Sequence, residues 1–451
     1  MMNLGLEEIL KALNGKVVVK GREDFKVVST DTRKIEVGSL FIALKGNNFN
    51  GNLFIKEAVE KGATICIVDE IHFQSAEITD STIIKVDNTT EALKDLAEFY
   101  RKKLKIKVVG VTGSTGKTST KDLIAAALST KYKVFKTKGN FNNEIGLPLM
   151  VFQLDETYDV AVLEMGMSDF NEIHNLSKIA RPDIAVITNI GISHIENLKT
   201  RDNILKAKME ITDFLKEKSP LILSGNDDKL VTVENSNFNV IKVGLDNKDY
   251  CIDNIKFLEN ETQFNTIIDG EKVKFTIPLL GKHNVYNTLL ALCVGRNLGV
   301  SVTEMQQGMA NLEATSMRLD IMKKDKYTII NDCYNSSPAS VKAAIEVQKN
   351  LSSKRKVAIL GTMKELGLES KSAHFEVGKF AKDNDVDLLL LTGEFTEEAR
   401  LGYGEKNAYI YTSVSELIND LDNKIKIGDS ILVKASRSMK FEQIIESLDK
   451  K

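Results

Sequence analysis

Apolar runs of three to six residues recur along this chain, each followed by a stretch whose apolar positions have helical spacing. In the first hundred residues, 17–19 (VVV), 40–44 (LFIAL) and 64–68 (TICIV) read as strands, while 53–61 and 89–103 carry a helical period. Asn88, with Glu91 three residues on, is placed to cap the second helix, which runs into the basic stretch Arg101 to Lys107, read as a linker. From 104 to 314 the runs IKVVGVT, VAVLEM (160–165), IAVITN (184–189) and PLILS (220–224) alternate with helical segments, the pattern of a parallel sheet covered on both faces. From 315 the alternation resumes with YTIIN (327–331), KVAILG (356–361), VDLLLL (386–391) and ILVKA (431–435). The chain is therefore predicted to be α/β in three domains: a small N-terminal α/β domain over 1–103, a central parallel-sheet domain over 104–314, and a C-terminal Rossmann-like domain over 315–451. The last lacks a GxGxxG segment, so a nicotinamide cofactor is not expected.

The segment 107–120, KVVGVTGSTGKTST, changes this picture from architecture to chemistry. A strand leads into a loop with Gly110, Gly113 and Gly116, and Lys117-Thr118 opens a helix. Glycines let backbone N–H groups approach a polyphosphate, the helix N-terminus adds partial positive charge, Lys117 reaches the terminal phosphates, and the Thr118 hydroxyl can hold Mg²⁺. Gly113, Ser114, Thr115, Gly116, Lys117, Thr118 and Ser119 are thus candidate ATP-binding residues in a P-loop ATPase domain. The generic pattern wants glycine five residues before Gly116, where this chain has Val111. A glycine-rich turn without a ligand is the alternative, disfavoured by Gly-Lys-Thr on a strand-loop-helix.

Composition narrows the partners. The 451 residues carry 61 Lys and Arg against 63 Asp and Glu, a net charge of −2, without the basic excess that nucleic acid binding calls for. No apolar run approaches the ~18 residues of a membrane span, and the opening MMNLGLEEILKAL has acids where a secretory leader has a basic start. A cytoplasmic protein, without membrane insertion and acting as a monomer, is expected. Cys66, Cys251, Cys293 and Cys333 have no metal-type spacing and read as reduced, mostly buried thiols.

Other residues can be read in two ways. Glu164 closes a strand, so its carboxylate emerges at the sheet edge where the phosphate loop falls; it can hold Mg²⁺ or cap the next helix. His194, one loop beyond the strand 184–189, is a cation ligand or a structural histidine. Lys208, in ILKAKMEI, reads from composition as part of a solvated helix face. GNFNNEIGLP (139–148) is too rich in hydrogen-bonding groups to be a mere spacer, though a structured surface loop would also explain it.

TGSTGKTS, GNFNNEIGLP, LEMG, TNIGISHIE, AKMEI and GKHNVYN follow one another in the order found in the Mur ligases, which the chain resembles over essentially its whole length. These ATP-dependent enzymes add amino acids to the UDP-muramoyl peptide of peptidoglycan, and the relaxed glycine spacing is the family's own form. The resemblance implies that Lys117, Glu164, His194 and Lys208 are catalytic. Thr118 and Glu164 would hold the Mg²⁺ of ATP, while His194, Glu164 and Lys208 would hold a second Mg²⁺. Lys208 would do so as a carbamate formed with CO₂, a role in which an ammonium cannot serve. Asn287 would contact adenine, with His283 nearby, and Arg318 and Asp332 the ATP phosphates and ribose. Asp31, Thr32 and Arg33, in STDTRKIEVGSLFIALKG (29–46), would bind the UDP end of the donor.

In the C-terminal domain NDCYNSSPAS, GTMKELGLESKSAH and VKASRSMKFE resemble the segments of the family member that adds a dipeptide, with Ser336 and Ala435 replacing the usual alanine and glycine. Asn335 and Ser336 are then candidates for the D-Ala-D-Ala pocket, Arg437 lies in the third segment, and the expected substrates are UDP-MurNAc-tripeptide, D-Ala-D-Ala and ATP. Closure of the C-terminal domain about the linker near 314 is implied. The rivals are a sister ligase, adding a third residue or glutamates to folate, and a nucleotide-driven switch. Asn247-Lys248-Asp249-Tyr250 lacks the final residue of a guanine-reading motif.

Overall fold

The computed structural model describes residues 4–244, 249–313, 315 and 317–450. Residue 314, where the second boundary was expected, and Asn247-Lys248 lie outside the described residues.

The N-terminal sheet runs in the order Lys16–Val19, Thr82–Lys85, Ala63–Val68, Ser39–Ile42, Val27–Ser29, parallel except at its first pair. Helix Thr89–Lys103 follows, and Asn88 Oδ1 accepts the N–H groups of Thr90 at 2.8 Å and Glu91 at 3.0 Å, the predicted cap. The basic stretch read as a linker is instead packed. Arg101 is buried and donates to the carbonyls of Ala180, Leu104 and Ile106, while Tyr100 donates its hydroxyl to Leu154 O at 2.6 Å. One continuous core holds Leu40, Ile65, Leu93 and Leu96 of the N-terminal part together with Leu147, Ile173 and Ile187 of the central one. The two α/β layers are thereby joined through apolar burial rather than by a tether.

The central sheet is six-stranded and wholly parallel, ordered Asn239–Val243, Pro220–Ser224, Ile184–Ile187, Lys107–Thr112, Val160–Glu164, Val134–Lys136. Its middle strands are apolar and buried on both faces, as helix-covered strands must be. Register sets the site: Glu164 lies opposite Val111 and Ile187 opposite Thr112, so the phosphate loop leaves its strand between the ends of two neighbours.

A three-stranded antiparallel sheet, Ile252–Phe257, Thr262–Ile268 and Glu271–Ile277, interrupts the predicted strand-helix alternation. Polar side chains hide it from apolar patterning, because Thr262 and Thr266 occupy buried positions that alternate with half-buried ones. The C-terminal sheet is ordered Asp320–Lys323, Thr328–Asn331, Asp429–Lys434, Arg355–Gly361, Leu388–Thr392, Ala408–Tyr411, parallel except at its first pair. It has two cores of its own, one per face. Ile192 of the central part packs against the first, and polar contacts make up the named links described below.

Candidate nucleotide and cation site

The loop after Thr112 is shaped by space as much as by sequence. A Cβ on Gly113 would lie 1.8 Å from Thr188 Oγ1, and Gly116, with φ +77°, would bring one within 3.1 Å of Asn287. Ser114 N–H donates to Asn189 O at 2.9 Å, Thr115 N–H to Asn189 Oδ1 at 3.0 Å, and Thr188 Oγ1 to Thr115 O at 2.6 Å. Gly191 N–H donates to Ser114 Oγ at 2.9 Å. The end of one strand thus clamps the loop of its neighbour. Gly113→Ala is expected to destabilise the chain by roughly 1–3 kcal/mol through overpacking, with a parallel loss of ATP affinity, measured by urea unfolding and calorimetric titration.

Lys117, Thr118 and Ser119 are the first residues of helix Lys117–Leu128. Lys117 Nζ donates to Gly113 O at 2.8 Å, curling back over the loop. Loss of water holds its pKa below the ordinary lysine value, against the attraction of Glu164.

Glu164 is only 2% exposed: Oε1 accepts from Asn142 Nδ2 at 2.8 Å, and buried Oε2 has no hydrogen-bond partner. An anionic oxygen buried without a donor is an electrostatic invitation to a cation. His194 sits beyond the end of strand Ile184–Ile187 with φ +64°, half-buried. Lys208, on helix Arg201–Met209, is 1% exposed, contrary to the solvated face read from composition. Burial, reinforced by the neighbouring Lys117, holds its amine well below the ordinary lysine range. Among the described residues no group of three His, Cys, Asp or Glu side chains is placed to hold a metal ion. The candidate donors are one carboxylate, Glu164, one imidazole, His194, one hydroxyl, Thr118, and one buried amine, Lys208.

The C-terminal domain closes the site from above. Arg318 Nη2 donates to Thr118 Oγ1 at 3.3 Å, with its guanidinium stacked 4.1 Å from the Tyr334 ring centroid. Asp332 pairs with buried Lys434 at 2.5 Å and accepts the N–H of Leu319 at 3.2 Å. Across from them, burial pushes the His283 imidazole down to about 4, with Asp332 pulling it up and Lys434 adding to the fall. Asn287, one turn on in helix Lys282–Asn297, is buried beside Gly116.

Other candidates stand apart. Asp31 accepts Arg33 N–H and pairs with its guanidinium at 2.9 Å, and Lys61 donates to Thr32 O, so the bonds of these three stay within the N-terminal part. Asn335 is exposed, and its carbonyl accepts from Lys434 Nζ at 2.8 Å. Ser336 is buried, with an Oγ that has no partner. Sequence reasoning missed Asn142, Thr188, Asn189, Lys434 and Glu365. The density of polar groups in 139–148 and in TNIG was the available signal for the first three.

A P-loop at the carboxyl edge of a parallel sheet, capped by a second α/β sheet carrying a basic and an acidic group, defines a nucleotide-dependent enzyme of three-domain α/β build. Residues 24–101 match the Mur ligase family, catalytic domain; 111–295 match the Mur ligase middle domain; and 317–437 match the Mur ligase, glutamate ligase domain. The chain belongs to the Mur ligase family, and is an ATP-dependent ligase. It is 42% identical over 427 residues to the UDP-N-acetylmuramoyl-tripeptide–D-alanyl-D-alanine ligase of Bacillus subtilis, covering 93% of this chain and 92% of that one. Its fold is similar to that of MurF from Acinetobacter baumannii, with a TM-score of 0.91, 27% identity and all of both chains covered. It is also similar to MurF ligase from Thermotoga maritima in complex with ADP, with a TM-score of 0.83, 30% identity and 94% and 97% of the two chains covered. Among the described residues no helix is long and apolar enough to cross a membrane.

Proposed function

We propose that this chain joins D-alanyl-D-alanine to UDP-N-acetylmuramoyl-tripeptide at the expense of ATP, in the cytoplasm and as a monomer, with domains at 1–103, 104–314 and 315–451. The observation that carries this reading is the end-to-end likeness to the Bacillus subtilis enzyme of that name.

A carboxylate resists attack by an amine, since its charge and resonance leave the carbon a poor electrophile. Transfer of the γ-phosphoryl of ATP onto that oxygen gives an acyl phosphate and ADP. The dipeptide amine then attacks the carbon, and phosphate leaves as the amide forms. Charge accumulates in both steps, so alignment and electrostatics are the protein's main contribution.

Lys117 and the N–H groups of Gly113 to Ser119 would cradle the phosphates, Asn287 the adenine, Arg318 the phosphates and Asp332 the ribose. Thr118 and Glu164 would hold one Mg²⁺, and Glu164, His194 and Lys208 a second. Magnesium, when bound, neutralises phosphate charge and draws electrons from the reacting phosphoryl group. The donor set fits: Glu164 Oε2 is buried and unpartnered, and burial of Lys208 favours the uncharged amine, the form that adds CO₂. Its carbamate would supply a second anionic donor beside Glu164. Asp31, Thr32 and Arg33 would take the UDP end, and Asn335 and Ser336 the dipeptide.

The test is phosphate release from ATP and UDP-MurNAc-tripeptide, with and without D-Ala-D-Ala, with mass detection of the pentapeptide. Release that depends on the dipeptide, with the pentapeptide mass, is expected. Release indifferent to the dipeptide, or a single amino acid accepted in its place, overturns the reading.

A further inference from the structure

Glu365 belongs to the C-terminal domain, yet its carboxylate lies against a residue of the central one. Its Oε2 is 2.5 Å from His194 Nδ1, and its carbonyl accepts the N–H of Glu196 at 3.3 Å. The two polar atoms face each other at contact distance, outside the alignment of a linear hydrogen bond. Two further observations mark the contact as built. The backbone of Glu365 is left-handed, φ +65°, a conformation that a residue with a Cβ keeps only where its surroundings impose it.

Those surroundings are a pinned loop. His374, buried on helix Ser370–Asp383, has Nδ1 2.6 Å from Ser370 O and accepts the N–H of Met363 on Nε2 at 3.0 Å. Lys364 N–H donates to Ser436 Oγ at 3.0 Å, Ser436 N–H donates to Thr362 O at 3.1 Å, and Leu366 is buried. Residues 362–366 thus form a shelf that holds one carboxylate out toward the central domain.

An imidazole engaged on Nδ1 has Nε2 left for a cation, and a carboxylate behind the ring fixes its orientation and strengthens its donation. Building on the cation role proposed for His194, we infer that Glu365 is a positioning residue: docking of the C-terminal domain brings its carboxylate to Nδ1 and completes the cation site from outside the domain that holds it. Cation affinity then depends on whether the C-terminal domain is docked, and the same docking carries Arg318 to Thr118.

The experiment uses the full chain with Mn²⁺ as probe, titrated by electron paramagnetic resonance in the presence of UDP-MurNAc-tripeptide and a non-hydrolysable ATP analogue. Glu365→Gly accepts the left-handed backbone and removes the carboxylate, whereas Glu365→Gln keeps an oxygen acceptor of the same reach. The glycine variant is expected to bind the weaker Mn²⁺ about tenfold less tightly. It should unfold at the same temperature as the parent or higher, and lose kcat with little change in KM for ATP. The glutamine variant should recover a measurable part of both losses. Unchanged or tighter Mn²⁺ binding in the glycine variant overturns the inference. A parent chain that joins no dipeptide defeats the proposed function instead, so the two failures are distinguishable.

Discussion

Glu164→Gln is expected to lower dipeptide-dependent phosphate release by about a hundredfold or more, an effect of ~3 kcal/mol on the barrier, while the chain stays folded. The substitution keeps the size of the side chain and an oxygen for Asn142 Nδ2, now 2.8 Å from Oε1. What it removes is the negative charge at the buried, unpartnered Oε2. Two consequences add. The proposed cation loses the carboxylate common to both of its sites, and Lys117, already held below its ordinary pKa by burial, loses the attraction that opposes this fall. Because a buried carboxylate oxygen without a donor is itself destabilising, the melting temperature should hold or rise. A fully active Glu164→Gln enzyme would take this carboxylate out of the cation site.

Lys208→Met should separate stability from activity even more sharply. The amine is 1% exposed and burial holds it well below the ordinary lysine range, so folding disfavours the proton that the unfolded chain keeps. Replacing such a group with an apolar chain of similar volume is expected to stabilise the protein by roughly 1–4 kcal/mol. The sign with pH follows. A base whose folded pKa is depressed binds fewer protons when folded, so the parent loses stability as pH falls from the ordinary lysine value of 10.5 toward its folded value. The gain from methionine should therefore be larger at pH 6.5 than at pH 9, read by urea unfolding in buffers free of CO₂. Added bicarbonate should raise the melting temperature of the parent and leave Lys208→Met untouched, while turnover of the variant falls by about two orders of magnitude or more. Equal bicarbonate responses would remove the carbamate from the proposal.

Strands were legible where both faces are buried. PLILS matches Pro220–Ser224 residue for residue, and the run ending in Glu164 places that carboxylate correctly, because helix-covered parallel strands are written as unbroken apolar letters. The antiparallel sheet over 252–277 was not legible, since threonines fill two of the four buried positions of its middle strand and break the apolar run. Lys208 misled for the opposite reason: lysine at a helical spacing reads as solvated, and only tertiary packing reveals the burial. Glu365 was out of reach of any local pattern, because its partner lies 171 positions away in sequence, His194 being in the central domain. The phosphate loop stood out because its constraints are local: glycines where Cβ atoms do not fit, and a lysine at the first helical position.

The two seams of the molecule differ in kind. Tyr100, Arg101 and a common apolar core weld the first α/β layer to the second, whereas among the described residues the third shares no such core with them and meets them at Ile192, at Val347 beside Gly281, at Gly367 beside Glu196 and at polar pairs. On the proposed reading the welded pair would act as a fixed gauge, with the distance between the uridine subsite and the phosphate turn set once by folding, and the third layer as the moving jaw. A compound meant to jam such a machine has an easier task lodging under the jaw, where it need only keep a few ions from meeting, than prising open the gauge, where it would have to split a hydrophobic interior.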